Sequence, residues 1–418
     1  MGGFKKVYKI IDTPQHMNNV KEFKRLKLAS GAVVLFEKRD LPIVTVMAAI
    51  PFGAGHEASN VKGIAHFIEH MAFKGTKTKT IKEIKEPIDR IGGELNAFTI
   101  REITGFFAKI PSKYVERGID IVSDIMLNPV FNAKEMEKER GVILEEIKMI
   151  HDDPSAYSIR KITELLYEKP FGTFVAGTKE TVSKIQRNDM LKWHDSNYYP
   201  ENMIIAVVGN VEIDNVLEIL NQRLKKSPAS KKIIKTDVKL KNENLIEKRK
   251  DINQAHIVFG AHMPTLKDKL RYASYAFNTI LAHGSSSRLY TEIREKRGLA
   301  YRVGGYLQQE KDYGCETIYV GTMKDKVKKV KELILKEIKK MQNLKNSDLE
   351  KAKEQIIGSY ELSKETSENT AENLIIEEIA GNAGDYYKLP EYVSAINLED
   401  VRRLAKIKNY SFLEVIPA

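Results

Sequence analysis

Two runs of β-branched and apolar residues, IVTVMAAIPFG at 43–53 and HIVFGAHMP at 256–264, occupy similar places in the two halves of the chain and predict strands. Each is followed by a segment with helical spacing that ends in a Gly-Thr or Gly-Ser pair. A Gly-Gly pair comes next in each half, Gly92-Gly93 and Gly304-Gly305, and reads as the opening of two further strands. Long amphipathic helices come after these. SKYVERGIDIVSDIML in the first half parallels KDKVKKVKELILKEIKKM in the second, and EMEKERGVILEEI parallels DLEKAKEQIIGSYEL. The repeated order predicts an internal duplication: two related α+β domains, each an antiparallel sheet with helices packed on one side. The polar, Lys-rich stretch 225–250 reads as the linker, placing an N-terminal domain at 1–224 and a related C-terminal domain at 251–418.

Composition leaves this picture intact. At 418 residues the chain exceeds one compact core, and its 42% hydrophobic and 30% charged residues are near globular averages. No window has the roughly 20 unbroken apolar residues that cross a bilayer. The opening MGGFKKVYKIIDTPQH has no apolar run of signal-peptide length, and Lys6 stands where a myristoylation signal wants Ser or Thr, so a cytoplasmic location is expected. A single cysteine, Cys315, excludes an intramolecular disulfide and Cys-rich zinc ligation, so any metal must be held by His and carboxylates. The formal charge of +11 comes from Lys interspersed with Glu at helical spacing. With no aromatic-studded basic stripe, zinc finger or phosphate loop, no nucleic-acid partner is expected.

The chemistry is concentrated in GIAHFIEHMAFKGT, residues 63–76. Residues four apart on a helix differ by about 40° around the axis, and residues three apart by about 60° the other way. His66, Glu69 and His70 therefore face one side: two imidazoles able to meet one zinc ion, and a carboxylate within reach of a water on that ion. The order His-x-x-Glu-His inverts the better-known zincin order and keeps its geometry. Ile64, Phe67, Ile68, Met71 and Phe73 are expected to bury the helix. Laying Gly75 on Gly284 puts Tyr275, Asn278 and Thr279 opposite the three polar residues, so the fold itself does not require them. A third protein ligand is needed. The helix EKERGVILEEI offers Glu137, Glu139, Glu145 and Glu146; Glu139 and Glu146 share a face, Glu145 points elsewhere, and pattern alone leaves the choice open.

HFIEH, the trailing MAFKGT, GGELNAFT and ERGVILEEI together resemble the insulinase/pitrilysin metallopeptidase family, M16, in its short form related to the mitochondrial processing peptidase β subunit. The resemblance runs from about residue 25 to 410. It implies Glu146 as third ligand, 76 positions after His70, and Glu139 as an outer-shell support of the metal site. It implies Arg294 and Tyr301, seven positions apart in SSSRLYTEIREKRGLAYRVGGY, as groups that hold substrate. It also implies that GGELNAFTI is an exposed strand that receives substrate through the backbone around Asn96, Ala97 and Phe98.

The function implied is a zinc-dependent endopeptidase with one zinc ion per chain. Glu69 is its general base, and Arg294 and Tyr301 steady the carbonyl. The substrates implied are peptides or small unfolded proteins admitted to an enclosed chamber. Because this chain holds both the metal motif and the Arg/Tyr pair, a homodimer is expected, with each site drawing its metal from one subunit and its Arg/Tyr from the other. The alternative is a non-catalytic scaffold, or a subunit of a heteromeric processing peptidase. The intact His66, Glu69, His70 and Glu146 count against it.

Overall fold

The computed structural model describes residues 23–226 and 238–418, together with the backbone of the strand Tyr8–Asp12 (β1). The central part of the expected linker, 227–237, lies outside the described residues.

Among the described residues the first sheet has seven strands. After β1 come β2 (Phe23–Leu28), β3 (Val33–Lys38), β4 (Ile43–Ile50), β5 (Glu94–Thr99), β6 (Thr104–Pro111) and β7 (Ile204–Gly209). They lie in the order β1-β2-β3-β7-β4-β6-β5. The second sheet has β8 (Leu245–Arg249), β9 (Ala255–His262), β10 (Ala300–Gln309), β11 (Gly314–Thr322) and β12 (Ser411–Pro417), in the order β10-β11-β9-β12-β8. Each sheet is antiparallel except for one parallel pair, β3 with β7 and β12 with β8. Laying β3-β7-β4-β6-β5 on β8-β12-β9-β11-β10 matches every neighbour and every direction, as a duplication requires. The two Gly-Gly pairs, however, are not equivalent. Gly92-Gly93 precedes β5, with Gly92 at φ 68°, whereas Gly304-Gly305 lies inside β10. A Cβ on Gly305 would fall 2.4 Å from the Ala282 side chain, so close packing accounts for that glycine.

Five helices of the first half lie at Ile64–Ala72 (α1), Ile81–Asp89 (α2), Val115–Leu127 (α3), Ala133–Asp152 (α4) and Pro154–Leu166 (α5). In each unit the half's own helices take one face of the sheet. Gly118 of α3 packs near Val46 of β4, while Thr45, on the other face, shares a 2.8 Å hydrogen bond with Ser367. That serine opens the helix Ser367–Ala380, which covers β4 and β7 although it comes from the second half of the sequence. The second unit mirrors this. Ile257, Phe259 and Ala261 of β9 join a core with the helices Arg271–Leu281 and Val327–Lys340, and Val258 packs with Ile162, Leu165 and Leu166 of α5.

The compact units are therefore not the contiguous domains 1–224 and 251–418. One comprises the described residues through Glu145, those from Val175 to 226, and Ser363–Tyr387; the other takes Glu146–Phe174, the described residues through Leu362, and Lys388–Ala418. Each half lends one helix to the other's sheet. Coverage on both faces explains why β4 and β9 read as continuous apolar runs rather than alternating ones.

Candidate metal centre

Helix α1 is built to be buried. Ile64, Phe67, Ile68 and Met71 are in the core, and Phe73, just past its end, is partly buried against Phe106. The helix packs against β5 and β6 and leaves His66, Glu69 and His70 half-buried. The rings of His66 and His70 lie 4.7 Å apart, centroid to centroid, at 64°. In the duplicated half, Tyr275, Asn278 and Thr279 do fall on the equivalent helix, Arg271–Leu281.

Helix α4 brings the third group. One ligand atom from each of His66, His70 and Glu146 lies within 4.8 Å of the other two, and among the described residues no other cluster of His, Cys, Asp and Glu gathers in this way. Glu145 points outward and Glu137 pairs with Arg140, which leaves them outside the group. Glu139, 7% exposed, meets the Nδ1 of His70 at 3.2 Å and the Lys74 ammonium at 2.5 Å. A carboxylate on Nδ1 fixes the ring and leaves Nε2 for a cation, the arrangement found around metal-bound histidines. Arg140 holds α4 in place. Its guanidinium lies 5.4 Å from the Phe67 ring and donates to the carbonyls of Val182 and Ile185, the latter at 2.9 Å. Two imidazoles and one carboxylate, with a carboxylate behind one imidazole, fit zinc and leave a fourth position open.

Pattern reading missed two residues. Glu57, seven positions before the first residue of α1, accepts hydrogen bonds at the start of the helix: from Gly63 N–H at 2.9 Å and Ala65 N–H at 2.8 Å. Tyr198 is a buried phenol; burial raises its pKa, and the Glu69 and Glu57 carboxylates raise it further, so it stays protonated. Tyr198 reaches the site through the tertiary fold, and Glu57, only six and eight positions from the amides it holds, lies outside the usual N-cap position of a helix.

Among the described residues β5 is an edge strand paired only with β6, with Asn96, Ala97 and Phe98 opposite Phe107, Phe106 and Gly105. The Asn96 amide oxygen already accepts from the Ala97 N–H at 2.9 Å, so that donor is engaged. In the second unit Arg294 and Tyr301 come together. The guanidinium lies 4.7 Å from the Tyr301 ring and 4.9 Å from the Tyr290 ring, and Tyr301 is 81% exposed. Arg294 sits in a π-helical turn, Tyr290–Glu295, a rare form found frequently at functional sites.

The profile described as Insulinase (Peptidase family M16) matches residues 32–179, and that described as Peptidase M16 inactive domain matches 184–356. The chain is 30% identical over 388 residues to the uncharacterized zinc protease YmxG of Bacillus subtilis, covering 92% of this chain and 95% of that one. It is 32% identical over 346 residues to an uncharacterized zinc protease of Rickettsia bellii, covering 81% and 83%. Among solved structures, a protease from Helicobacter pylori superposes with TM-score 0.88 at 21% identity, covering 95% of this chain and all of that one. A peptidase M16 inactive domain from Pseudomonas fluorescens gives 0.86 at 19%, covering 95% and 98%. No helix among the described residues is long and apolar enough to cross a membrane. With profiles over both halves and a relative matched along nearly its whole length, the chain belongs to the insulinase family of peptidases, M16.

Proposed function

We propose that the chain is a zinc-dependent endopeptidase whose ligands are His66, His70 and Glu146, one ion per chain. The observation that carries this reading is the convergence of those three side chains within 4.8 Å, with Glu139 on the Nδ1 of His70. The names of the relatives, zinc proteases, support it.

When bound there, zinc supplies a Lewis acid that acidifies water and polarises a peptide carbonyl. Glu69, on the same side of α1 as the two histidines, accepts the proton of the attacking water and passes it to the leaving amine. The free edge of β5 takes an extended peptide as an added strand around Asn96, Ala97 and Phe98, so affinity comes from main-chain bonds with little demand on sequence. The Asn96 side chain must then release the Ala97 N–H. Arg294, held between two rings, keeps its N–H donors directed to a substrate carbonyl, and the Tyr301 hydroxyl adds another. Peptides and small unfolded proteins are the substrate class, cleaved in a chamber closed by two copies of the chain.

The test is cleavage of a quenched fluorescent peptide library by the wild type, by Glu69→Gln, and by a chelated sample before and after zinc is returned. Cleavage by the wild type alone, lost on chelation and restored by zinc, supports the reading. A wild type that binds zinc and cleaves nothing over a broad library points instead to a scaffold, or to a subunit awaiting a different partner.

A further inference from the structure

We propose that Glu57 is a positioning residue for the metal ligands: its buried carboxylate takes the place of the missing N-cap of α1 and so sets where the first turn of that helix, and His66 on it, stand. The proposal rests on the reading of His66, His70 and Glu146 as a metal site.

Helix α1 begins without a conventional cap. Its N-cap is Gly63, which has no side-chain acceptor and sits at φ 94°. The first amides of a helix need partners, and in a buried site water cannot supply them. Glu57 does. One oxygen accepts from Gly63 N–H at 2.9 Å and the other from Ala65 N–H at 2.8 Å, so a single bidentate carboxylate spans the start of the helix. A negative charge there also meets the positive end of the helix dipole.

Glu57 is itself held rigidly. It is 1% exposed and pairs at 3.1 Å with Lys62, which is 2% exposed and donates to the carbonyl of Ala54. Burial pushes Glu57 up and Lys62 down, each towards its neutral form; their mutual attraction opposes this in both. The backbone closes the remaining freedom. A Cβ on Gly63 would lie 2.6 Å from the Ala176 carbonyl, and one on Gly177 would lie 2.4 Å from the Lys62 carbonyl, so this corner tolerates no side chain on either glycine. His66 is the third residue of α1, one position past the second amide that Glu57 holds. The C-terminal ligand of the same helix, His70, is fixed separately by Glu139. The two histidines are thus anchored by two different buried carboxylates, one acting through the backbone and one through a ring nitrogen.

The experiment is cobalt(II) titration of the full chain, read by the visible absorption of the bound ion, which reports ligand number and geometry as well as affinity. The variants are Glu57→Gln and the double variant Glu57→Gln, Lys62→Met, which leaves no lysine buried without its partner. Positioning predicts folded protein that binds cobalt at least tenfold more weakly with an altered ligand-field spectrum. Wild-type affinity and spectrum in a variant that has lost only thermal stability overturn the proposal. If neither variant folds, hydrogen exchange of the unsubstituted protein decides: residues 57–66 should exchange more slowly when cobalt is added, because coupling between cap and ligand is reciprocal. Unchanged exchange there, with cobalt bound, overturns it equally. A wild type that shows no cobalt spectrum dependent on His66 and His70 fails the metal reading itself, a result separate from either of these.

Discussion

At the scale of single residues, three carboxylates with different surroundings should give three different phenotypes. Glu69→Gln keeps the shape of the side chain and removes the proposed base; zinc should remain at one ion per chain by elemental analysis while kcat falls by about 10²–10⁴-fold, the usual contribution of a positioned general base. Glu139→Gln should weaken metal binding about 10- to 100-fold in competition with a chelator, because it loosens the His70 ring without removing a ligand. Glu316 of β11 is different in kind. It is 0% exposed, neither carboxylate oxygen has a hydrogen-bond partner among the described residues, and burial alone pushes its pKa well up. The folded chain then keeps a proton that the unfolded chain gives up above about pH 4.3. Its contribution to stability is thus full below that pH and is lost as pH rises towards the raised folded value. Urea midpoints of wild type and Glu316→Gln should draw apart between pH 4 and 8, the variant gaining; parallel midpoints would mean that the carboxyl is not held neutral. The metal motif was legible in the sequence because His66, Glu69 and His70 fall within one and a half turns of one helix. Among four nearby glutamates helical phase alone separates Glu145 but not Glu139 from Glu146, and the choice of Glu146 came from the family resemblance, 76 positions after His70. Tyr198 left no trace, because nothing local marks a side chain that acts across a tertiary contact; Glu57 was passed over because it holds amides six and eight positions ahead, away from the N-cap position where a helix start is read.

At the scale of elements, the exchanged helix Ser367–Ala380 is tied to the first sheet by specific bonds as well as by packing. Arg25 makes a bidentate pair with Glu378 at 2.7 and 2.6 Å, and Arg39 donates to the Lys364 carbonyl at 2.8 Å and the Thr370 hydroxyl at 2.7 Å. Arg39 also pairs with Glu37 at 2.7 Å, and Glu37 in turn accepts from the Tyr387 hydroxyl. Arg39→Ala strands a mostly buried carboxylate and should lower the unfolding free energy by about 1–3 kcal/mol in denaturant melts. A fragment of residues 1–226 lacks the cover for the Thr45 face of β4; it should show no cooperative melt alone and should gain near-ultraviolet dichroism when a peptide of residues 363–387 is added. The strands and the long helices could be read from apolar periodicity, and the duplication from their order. The exchange could not: the Thr45–Ser367 contact spans 322 positions, and an apolar run such as IVTVMAAI says that both faces are covered without saying by what.

At the scale of the whole molecule, the proposed homodimer makes a sharp prediction. If each site draws its metal ligands from one copy and Arg294 from the other, Glu69→Gln and Arg294→Ala subunits, each inactive alone, should regain about a quarter of wild-type activity when unfolded and refolded together, since half of random dimers are mixed and each has one intact site. No recovery, with mixed dimers demonstrated by mass, would mean that the groups act within one chain. The exchanged helices also carry a record of descent. α5 follows the long helix α4, and Ser367–Ala380 follows the long helix Asn346–Ser363, so the two lent helices hold the same place in their respective halves. Two separate copies of a single-sheet ancestor that traded this one helix would already have been a domain-swapped pair, and one gene fusion would turn that pair into the present chain. On that history the two sheets were held together as two chains before they were joined in one, and the histidines of the metal motif now stand in only one of the halves.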